Sequence, residues 1–338
     1  MPNSTETLLV TGASGYLGGH IIKTALDKGY NVRATARSDS SAKHIAAEFP
    51  QHSAQLSYAI VPDMTKMESY EKALHGVTGI IHAASPFVLN PEDNVKDLLE
   101  PAIQGAVTIL EAAKKWGDSV KRVVLTSSHA SVCDLSKGKR PGYVYNEKDW
   151  NPIAFDEAAK ADGVVAYCGS KTLAERAAWD WVEKNKPKFD LVTMTPPWVF
   201  GPYVTDLTST KHLSESLQLL YGILDAKDIP PFDFGGFVDV REISAAHVRG
   251  YEVPEAGGQR FWVGQNFSYQ AAVDAARREL PELQKRLPEG KPGFVDDTYT
   301  VDGSKATRVL GIKYRSLADT VRDTYAQLLR AEAVEARA

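Results

Sequence analysis

The sequence predicts an α/β protein with a doubly wound parallel sheet and a smaller, interleaved C-terminal lobe. Up to residue 195, short β-branched or apolar runs alternate with longer segments of helical spacing. Beyond residue 195, pairs of proline or glycine interrupt that alternation, as at Pro230-Pro231 and Gly257-Gly258. Buried strands that alternate with helices are typical of a parallel sheet covered by helices on both faces.

Six runs in the first part of the chain are predicted to be strands: residues 7–11, 31–35, 55–61, 79–83, 122–126 and 191–195. Between the first two, apolar residues of the segment 17–26 share one helical face, and Gly29 follows where a helix would end. The segment 103–113 repeats this pattern ahead of Gly117. These strands and helices together build the predicted sheet and its covering layers.

The composition is ordinary for a globular protein and excludes several function classes. Of 338 residues, 43% are hydrophobic and 24% are charged, and 39 basic against 43 acidic residues give a net charge of -4. This slight acidity argues against a nucleic-acid groove, and no apolar run is long enough to span a membrane. With two cysteines, Cys133 and Cys168, and no signal-peptide pattern, we expect a cytoplasmic protein.

A glycine-rich loop follows the first predicted strand directly. Its sequence, GASGYLG at residues 12–18, opens the first predicted helix. Small residues there let backbone N–H groups approach a pyrophosphate at the positive end of the helix dipole. The position between a strand and an amphipathic helix predicts a dinucleotide site and a Rossmann-type fold.

The end of the second predicted strand carries a cation instead of an acid. NAD-selective sites place an acidic residue about 20 positions beyond the loop, whereas this chain has Arg37 there. A guanidinium grips a 2′-phosphate with two hydrogen bonds, so Arg37 favours NADPH over NADH. Arg33 and Lys43 would add positive potential. Asp63, after the third strand, is placed either to accept from the adenine amino group or to cap the following helix.

The segment YCGSK at residues 167–171 places Tyr167 and Lys171 one helical turn apart, so that phenol and ammonium lie side by side. Hydride reduction of a carbonyl creates an alkoxide that must be protonated. A nearby cation lowers the pKa of a phenol toward neutrality, where the phenol transfers its proton efficiently. The strand 122–126 leads into Ser127 and Ser128, which offer hydroxyls at the same sheet edge to polarise the carbonyl. Strand-end hydrogen bonding is the alternative role for either serine.

These motifs resemble the extended short-chain dehydrogenases/reductases. The resemblance rests on TGASGYLG at 11–18, LTSS at 125–128 and the Tyr167–Lys171 pair, and it extends over nearly the whole chain. It is strongest to the dihydroflavonol-reductase-like branch, and within it to the fungal NADPH-dependent methylglyoxal (aldehyde/ketone) reductases, through HAASPF at 82–87, AYCGSK at 166–171, VFGP at 199–202 and FGGFVDVR at 234–241.

The resemblance implies a role for each site residue. Tyr167 would be the acid, Lys171 its helper and Ser128 the carbonyl hydrogen-bond donor. The implied cofactor contacts come from the glycine loop and the carboxyl edge of the sheet: Gly12, Ser14, Gly15, Tyr16, Leu17, Gly18, Arg37, Asp63, Ala83, Ser85, Thr126, Tyr167, Lys171, Pro196 and Val199. The implied substrate pocket is mostly apolar, with Phe87, His129, Cys133, Val164 and Trp198 as walls and Phe232 and Phe234 as lid residues. The histidines show no ligand spacing, so we expect no metal.

These assignments divide the chain into two regions. Residues 1–195 are predicted to form the dinucleotide-binding domain, together with strands near 237–265, at 237–240 and 261–263, that return to the main sheet. Residues 196–236 and 266–338 are predicted to form the substrate-binding lobe. Within it, Ser316 followed by Asp319 predicts a capping box for a last helix from 317 to about 330.

The predicted function is the NADPH-dependent reduction of aldehydes or ketones, such as methylglyoxal, ketoesters and prochiral ketones, to alcohols. Three alternatives stay open: a dihydroflavonol- or cinnamoyl-CoA-type reductase, an epimerase of sugar nucleotides that holds NAD tightly, and a non-catalytic NADPH sensor. Arg37 argues against the epimerase, and the presence of both Tyr167 and Lys171 argues against the sensor. The expected partner is a small carbonyl substrate, without nucleic acid or membrane, and the expected assembly is a monomer or homodimer.

Overall fold

The structure is a computed structural model that describes residues 5–85 and 91–337. Its strands are β1 (Thr7–Thr11), β2 (Asn31–Ala36), β3 (Leu56–Ile60), β4 (Gly79–His82), β5 (Arg122–Thr126), β6 (Val144–Tyr145), β7 (Asp190–Thr195), β8 (Trp198–Phe200), β9 (Gly236–Asp239), β10 (Arg260–Trp262), β11 (Gln265–Asn266) and β12 (Thr300–Val301). Its helices are α1 (Tyr16–Asp27), α2 (Asp39–Glu48), α3 (Glu100–Trp116), α4 (Phe155–Ala158), α5 (Gly163–Asn185), α6 (Glu215–Tyr221), α7 (Val240–Glu252), α8 (Tyr269–Glu279) and α9 (Leu317–Glu335).

Seven strands form an all-parallel sheet in the order β10-β7-β5-β4-β1-β2-β3. The order reverses between β1 and β4, which gives a doubly wound sheet with a switch point at its centre. All six strands predicted in the first 195 residues are present, within a residue or two of the expected ends. The predicted Rossmann-type α/β fold is therefore confirmed.

Two apolar cores cover the faces of this sheet. Along β1, Leu8 and Val10 face the core shared with α1 and α7, whereas Leu9 faces the core shared with α3 and α5. Successive side chains of a strand point to opposite faces, so a strand buried on both sides must be apolar throughout. This requirement explains the continuous apolar runs in the sequence.

The expected strand at 237–240 does not return to the main sheet. It forms β9, which pairs in parallel with β8 and antiparallel with β11 in a separate three-stranded sheet. Pro196 and Pro197 follow β7 and lack the N–H groups that would continue its ladder, so the chain leaves the main sheet there. The second expected strand, at 261–263, does join the main sheet as β10, beside β7.

A third apolar core lies beside the small sheet and is built by α6, α8 and α9 around Phe200, Phe237 and Phe267. The last helix starts at the predicted cap residue: the Asp319 N–H donates to Ser316 Oγ at 3.1 Å. The return contact of the predicted capping box differs, because Asp319 Oδ2 accepts from the Ser316 hydroxyl, at 2.7 Å, and not from its backbone N–H. The helix continues to Glu335, past its expected end. None of the helices in the described residues is both long and apolar enough to cross a bilayer.

Candidate active site

Two cavities open at the carboxyl edge of the seven-stranded sheet and meet at Ala83 and Ser85. The larger, of about 660 Å³, lies over the ends of β1, β2 and β3, and its walls include Gly12, Ala13, Ser14, Gly15, Arg37, Asp63 and Tyr70. The smaller, of about 230 Å³, lies over β5 and β7, and its walls include Leu17, Thr126, Ser127, Ser128, His129, Tyr167, Lys171, Pro196, Trp198, Val199, Glu215, Ser216 and Phe234. We call them the dinucleotide cavity and the catalytic cavity.

The glycine loop lets the backbone form one wall of the dinucleotide cavity. Gly12 has a φ of +67°, and a Cβ there would lie 2.8 Å from the backbone of Ala83. A Cβ on Gly18 would lie only 2.0 Å from the Gly12 carbonyl oxygen. The N-cap of α1 is Gly15, which has no side chain to cap the first turn. A helix start of this kind, reached by a bare backbone, suits an anion such as a pyrophosphate.

Polar side chains stand at the far end of the dinucleotide cavity. Arg37 lies exposed at its rim, directly after β2. Asp63 lies in its wall, where Oδ1 accepts from the N–H of Thr65 at 2.8 Å and from its hydroxyl at 2.7 Å. Asp63 therefore caps the turn that follows it. The Arg33 guanidinium instead donates to the carbonyls of Ala73 and His75, at 2.9 and 2.7 Å.

The helix α5 brings Tyr167 and Lys171 into the catalytic cavity. Its start is fixed by Asp162, which accepts from the Val165 N–H at 3.2 Å. The Lys171 ammonium lies 5.4 Å from the centre of the Tyr167 ring and donates to Ser85 Oγ at 2.5 Å. The Tyr167 phenol shares a hydrogen bond with the Ser128 hydroxyl. A phenol, an ammonium and a hydroxyl thus meet in one cavity.

Burial sets the protonation of this group. It raises the pKa of the Tyr167 phenol well above its usual value, and the hydrogen bond from Ser128 opposes that rise only in part. Burial also lowers the pKa of Lys171 to about 8. At neutral pH the phenol therefore keeps its proton and most of the lysine is charged. The net lowering of the phenol pKa that we expected from Lys171 is therefore not found, because burial is the largest effect on this pKa and raises it.

The two serines after β5 have different partners. The Ser127 hydroxyl donates to Glu175 Oε2 at 2.7 Å, and Glu175 is fully buried in an ion pair with Arg260, whose Nε lies 2.8 Å from Oε1. Burial opposes ionisation of Glu175, but the Arg260 charge and the hydrogen bonds outweigh it and lower the pKa. Ser127 therefore belongs to the buried hydrogen-bond network around Glu175, and Ser128 is the serine that contacts Tyr167.

His129 lines the catalytic cavity without a free nitrogen. Its Nδ1 accepts from the Trp262 indole N–H at 2.9 Å, and its Nε2 lies 3.3 Å from the Tyr299 hydroxyl. Burial lowers the pKa of His129 to about 3, so the ring is neutral. His129 is thus part of the wall of the cavity and not a base.

The family described as "NAD dependent epimerase/dehydratase family" matches residues 8–264. The chain belongs to this family.

Curated relatives narrow the place of the chain in this family of extended short-chain dehydrogenases/reductases. The chain is 37% identical to the NADPH-dependent methylglyoxal reductase GRE2 of Saccharomyces cerevisiae, over 96% of this chain and 99% of the relative. It is 35% identical to the putative NADPH-dependent methylglyoxal reductase GRP2 of Candida albicans, over 97% and 99%. The crystal structure of the yeast methylglyoxal/isovaleraldehyde reductase Gre2 with NADPH superposes with a TM-score of 0.91 at 36% identity, covering 97% and 99% of the two chains. The family resemblance seen in the sequence is confirmed.

In this extended short-chain dehydrogenase/reductase, most residues expected at the cofactor line the two cavities. Leu17, Ala83, Ser85, Thr126, Tyr167, Lys171, Pro196 and Val199 line the catalytic cavity, and Gly12, Ser14, Gly15, Arg37 and Asp63 line the dinucleotide cavity. Tyr16 and Gly18 do not. The Tyr16 hydroxyl donates to the Gly201 carbonyl at 2.6 Å and its ring packs against Tyr203, while Gly18 packs beneath the loop.

The expected substrate pocket needs correction at two residues. His129 and Trp198 line the catalytic cavity. Cys133 lies behind it, buried among Tyr145, Trp262 and Tyr299, because its segment turns into a separate aromatic cluster. Val164 is 53% exposed, because the first turn of α5 lies outside the core. Phe87 falls outside the described residues.

Sequence reasoning missed Glu215 and Ser216, which α6 brings to the catalytic cavity. An acid directly after the N-cap Ser214 normally indicates a helix start, so the pattern gave no signal for a site. The second omission is the Glu175–Arg260 pair, whose members are far apart in sequence and meet only in the folded chain.

Proposed function

We propose that this chain reduces small aldehydes and ketones with NADPH, with methylglyoxal, ketoesters and prochiral ketones as substrates. This proposal rests on one observation: Ser128, Tyr167 and Lys171 line the same cavity. That cavity joins the dinucleotide cavity at Ala83 and Ser85. This arrangement places an acid and a cation beside the end of an extended cofactor site. The similarity to reductases named for NADPH and methylglyoxal supports the same assignment.

The residues of the dinucleotide cavity fit NADPH. The bare backbone of the glycine loop and the uncapped start of α1 suit a pyrophosphate. Arg37 at the rim suits the 2′-phosphate. Lys171, at the junction of the cavities, would hold the hydroxyls of the nicotinamide ribose. When bound, NADPH supplies a hydride from nicotinamide C4 and leaves as NADP⁺.

The chain's own residues bind the carbonyl and supply the proton. The Ser128 hydroxyl donates a hydrogen bond to the carbonyl oxygen and stabilises the negative charge that develops there. The Tyr167 phenol, protonated because burial raises its pKa, gives its proton to that oxygen as the alkoxide forms. The Lys171 ammonium stabilises the phenolate that is left. Pro197, Trp198 and Phe234 form an apolar wall that keeps water from the reacting carbon.

The lobe of residues 196–236 and 266–338 supplies the substrate side of the site in this proposal. Trp198, Glu215 and Phe234 all come from it, whereas Tyr167 and Lys171 come from the main domain. A catalytic cavity of about 230 Å³ favours small carbonyl compounds over dihydroflavonol- or cinnamoyl-CoA-sized substrates. Substrate choice would then vary with the lobe while the chemistry stays with the main domain.

The test is the loss of NADPH absorbance with methylglyoxal, a small ketoester and an aryl ketone, repeated with NADH. We expect turnover with NADPH that falls by about 10²–10⁴ in Tyr167→Phe, while the variant still binds NADPH by fluorescence titration. NADPH that binds but is never consumed would instead indicate a sensor, and NAD that stays bound through purification would indicate an epimerase.

A further inference from the structure

We propose that the catalytic cavity selects ketones and aldehydes that carry an ammonium group, and that Glu215 is the residue that selects them. This inference rests on the proposed reductase function and narrows its substrate class. It assigns a specificity role to a side chain outside the group that performs the chemistry.

Glu215 stands in the catalytic cavity beside the reacting groups. It is the first residue of α6 and lies in the same wall as Trp198 and Ser216. Its backbone is anchored from the neighbouring side, because the Ser216 hydroxyl accepts from the Val199 N–H at 3.1 Å. The Glu215 charge is close enough to Tyr167 to contribute to the raised pKa of the phenol. A carboxylate at this position therefore acts on whatever binds against Tyr167.

No cation of the cavity wall neutralises this carboxylate. Among the described residues that line the catalytic cavity, Lys171 is the single cation, and its ammonium is held 2.5 Å from Ser85 Oγ, where the cavity joins the dinucleotide cavity. His129 is neutral, since burial lowers its pKa to about 3. Glu215 forms no ion pair with any residue in the described part of the chain. A substrate cation would supply the missing charge.

The remaining walls also suit a cation. Trp198 and Phe234 meet edge to face, with ring centres 5.7 Å apart, and both line the cavity. Aromatic faces attract ammonium groups. The Trp198 ring is fixed by its indole N–H, which donates to Asp233 Oδ1 at 3.3 Å, while Asp233 Oδ2 accepts from the Tyr269 hydroxyl at 2.6 Å. A carboxylate and two aromatic rings together accept the hydrogen bonds and the positive charge of an ammonium group.

The charge of Glu215 also acts on the reaction itself. An amino ketone takes up a hydride from NADPH at the carbonyl carbon and a proton from Tyr167 at the oxygen, which gives an amino alcohol, NADP⁺ and a phenolate that water reprotonates. With a neutral ketone, Glu215 opposes the negative charge that develops on the oxygen and on the phenol. A substrate ammonium beside Glu215 cancels this repulsion, so the preference grows toward the transition state.

The test compares two ketones of equal size. In 1-aminopropan-2-one an ammonium replaces the hydroxyl of 1-hydroxypropan-2-one. The assay is run at about pH 6.5, where the amine is protonated. The ratio of the two kcat/KM values, amine over alcohol, is measured with saturating NADPH for the wild type, Glu215→Gln, Glu215→Asp and Glu282→Gln. The last is a matched control, because Glu282 is exposed and lies outside the catalytic cavity.

We expect a wild-type ratio above one that falls by about tenfold in Glu215→Gln, the size of one modest electrostatic contact. Glu215→Asp keeps the charge and retains a higher ratio than Glu215→Gln, and Glu282→Gln keeps the wild-type ratio. A ratio in Glu215→Gln equal to that of the wild type overturns the inference. If Glu215→Gln does not fold, a wild-type ratio below one overturns it as well.

Methylglyoxal separates this inference from the function on which it rests. A wild type that reduces methylglyoxal but not 1-aminopropan-2-one overturns the ammonium selectivity and leaves the reductase standing. A wild type that reduces no carbonyl compound at all overturns the proposed function.

Discussion

Tyr167 and Lys171 share one environment that affects their protonation in opposite ways. Burial disfavours the charged form of each group, so it keeps the phenol protonated and brings the lysine pKa down to about 8. The acid is thereby ready at neutral pH, whereas the cation is close to losing its charge. The pH range of the enzyme should therefore be limited by Lys171.

The first residue-scale prediction concerns pH. We expect kcat/KM to fall above about pH 8, because Lys171 loses its proton there while Tyr167, with its raised pKa, does not. A pH–rate profile with methylglyoxal and NADPH measures this limb. In Lys171→Arg, whose guanidinium stays charged, the residual activity should show no limb near pH 8. A wild-type profile that is flat to pH 9.5 or higher would contradict the assignment.

A second residue-scale prediction concerns Arg37. Loss of a charge-assisted hydrogen bond costs about 1.5–3 kcal/mol, so Arg37→Ala should raise the Kd for NADPH by about 10- to 150-fold and leave that for NADH nearly unchanged. Fluorescence titration with both cofactors measures the two constants. Lys184→Ala is the control, because Lys184 is exposed near the end of α5 and does not line the dinucleotide cavity. Equal losses for NADPH and NADH would show that Arg37 does not read the 2′-phosphate.

At the scale of elements, the glycine loop and α1 act as one packed unit. The Gly12 carbonyl lies directly against Gly18, and the Gly15 N–H donates to the same carbonyl oxygen at 3.0 Å. The helix therefore starts at a fixed distance from β1. A ligand that binds the loop binds a surface already formed by this contact.

Two adjacent glycines of α1 test that packing. Gly18→Ala places a Cβ 2.0 Å from the Gly12 oxygen, and we expect a loss of about 1–3 kcal/mol in the free energy of unfolding together with weaker NADPH binding. In Gly19→Ala the nearest atoms are 3.7 Å away, so this variant should be neutral or more stable by about 1 kcal/mol through helix propensity. Urea unfolding compares the two. Similar stabilities would show that the loop yields to the extra methyl group.

Elements were the part of the structure that the sequence predicted best. Short apolar runs such as 79–83 indicated strands, because a strand covered on both faces is apolar throughout, and the apolar spacing in the segment 17–26 indicated a helix. The sheet to which β9 belongs was not predictable, because a buried strand reads the same in either sheet. The assignments of Cys133 and Val164 to the substrate pocket were wrong for a related reason. Closeness in sequence to Ser128 or Tyr167 does not show which side of the local backbone faces the cavity.

At the scale of the whole molecule, the buried pair Glu175–Arg260 joins segments from across the chain. Glu175 accepts from Ser127 at 2.7 Å, from Ser131 at 2.6 Å and from Thr193 at 2.7 Å, besides its contact with Arg260. It thus links the end of β5, the middle of β7 and the start of β10 to α5, one turn beyond Lys171. No local sequence pattern predicts this pair, because each residue taken alone is typical of an exposed charged position.

The corresponding prediction is for stability. Glu175→Ala leaves the Arg260 guanidinium buried without its partner, which costs about 3–5 kcal/mol in the free energy of unfolding. Urea unfolding at neutral pH measures the loss. Glu183→Ala, at an exposed site on the same helix, should change stability by no more than about 0.5 kcal/mol. Losses of similar size in the two variants would show that the Glu175–Arg260 pair contributes no more to the free energy of unfolding than an exposed side chain does.

The late position of β10 in the chain has a consequence for biosynthesis. Six strands of the main sheet are complete when β7 leaves the ribosome, yet the seventh follows only after the segment that builds β8, α6, β9 and α7. At about 5–20 residues per second, the nascent protein spends several seconds with an open sheet edge at β7 and with Glu175 lacking its countercharge. Open edges invite pairing with other chains. During this interval a chaperone that covers the open edge at β7 would prevent such pairing. Chains truncated before residue 260 should aggregate instead of folding.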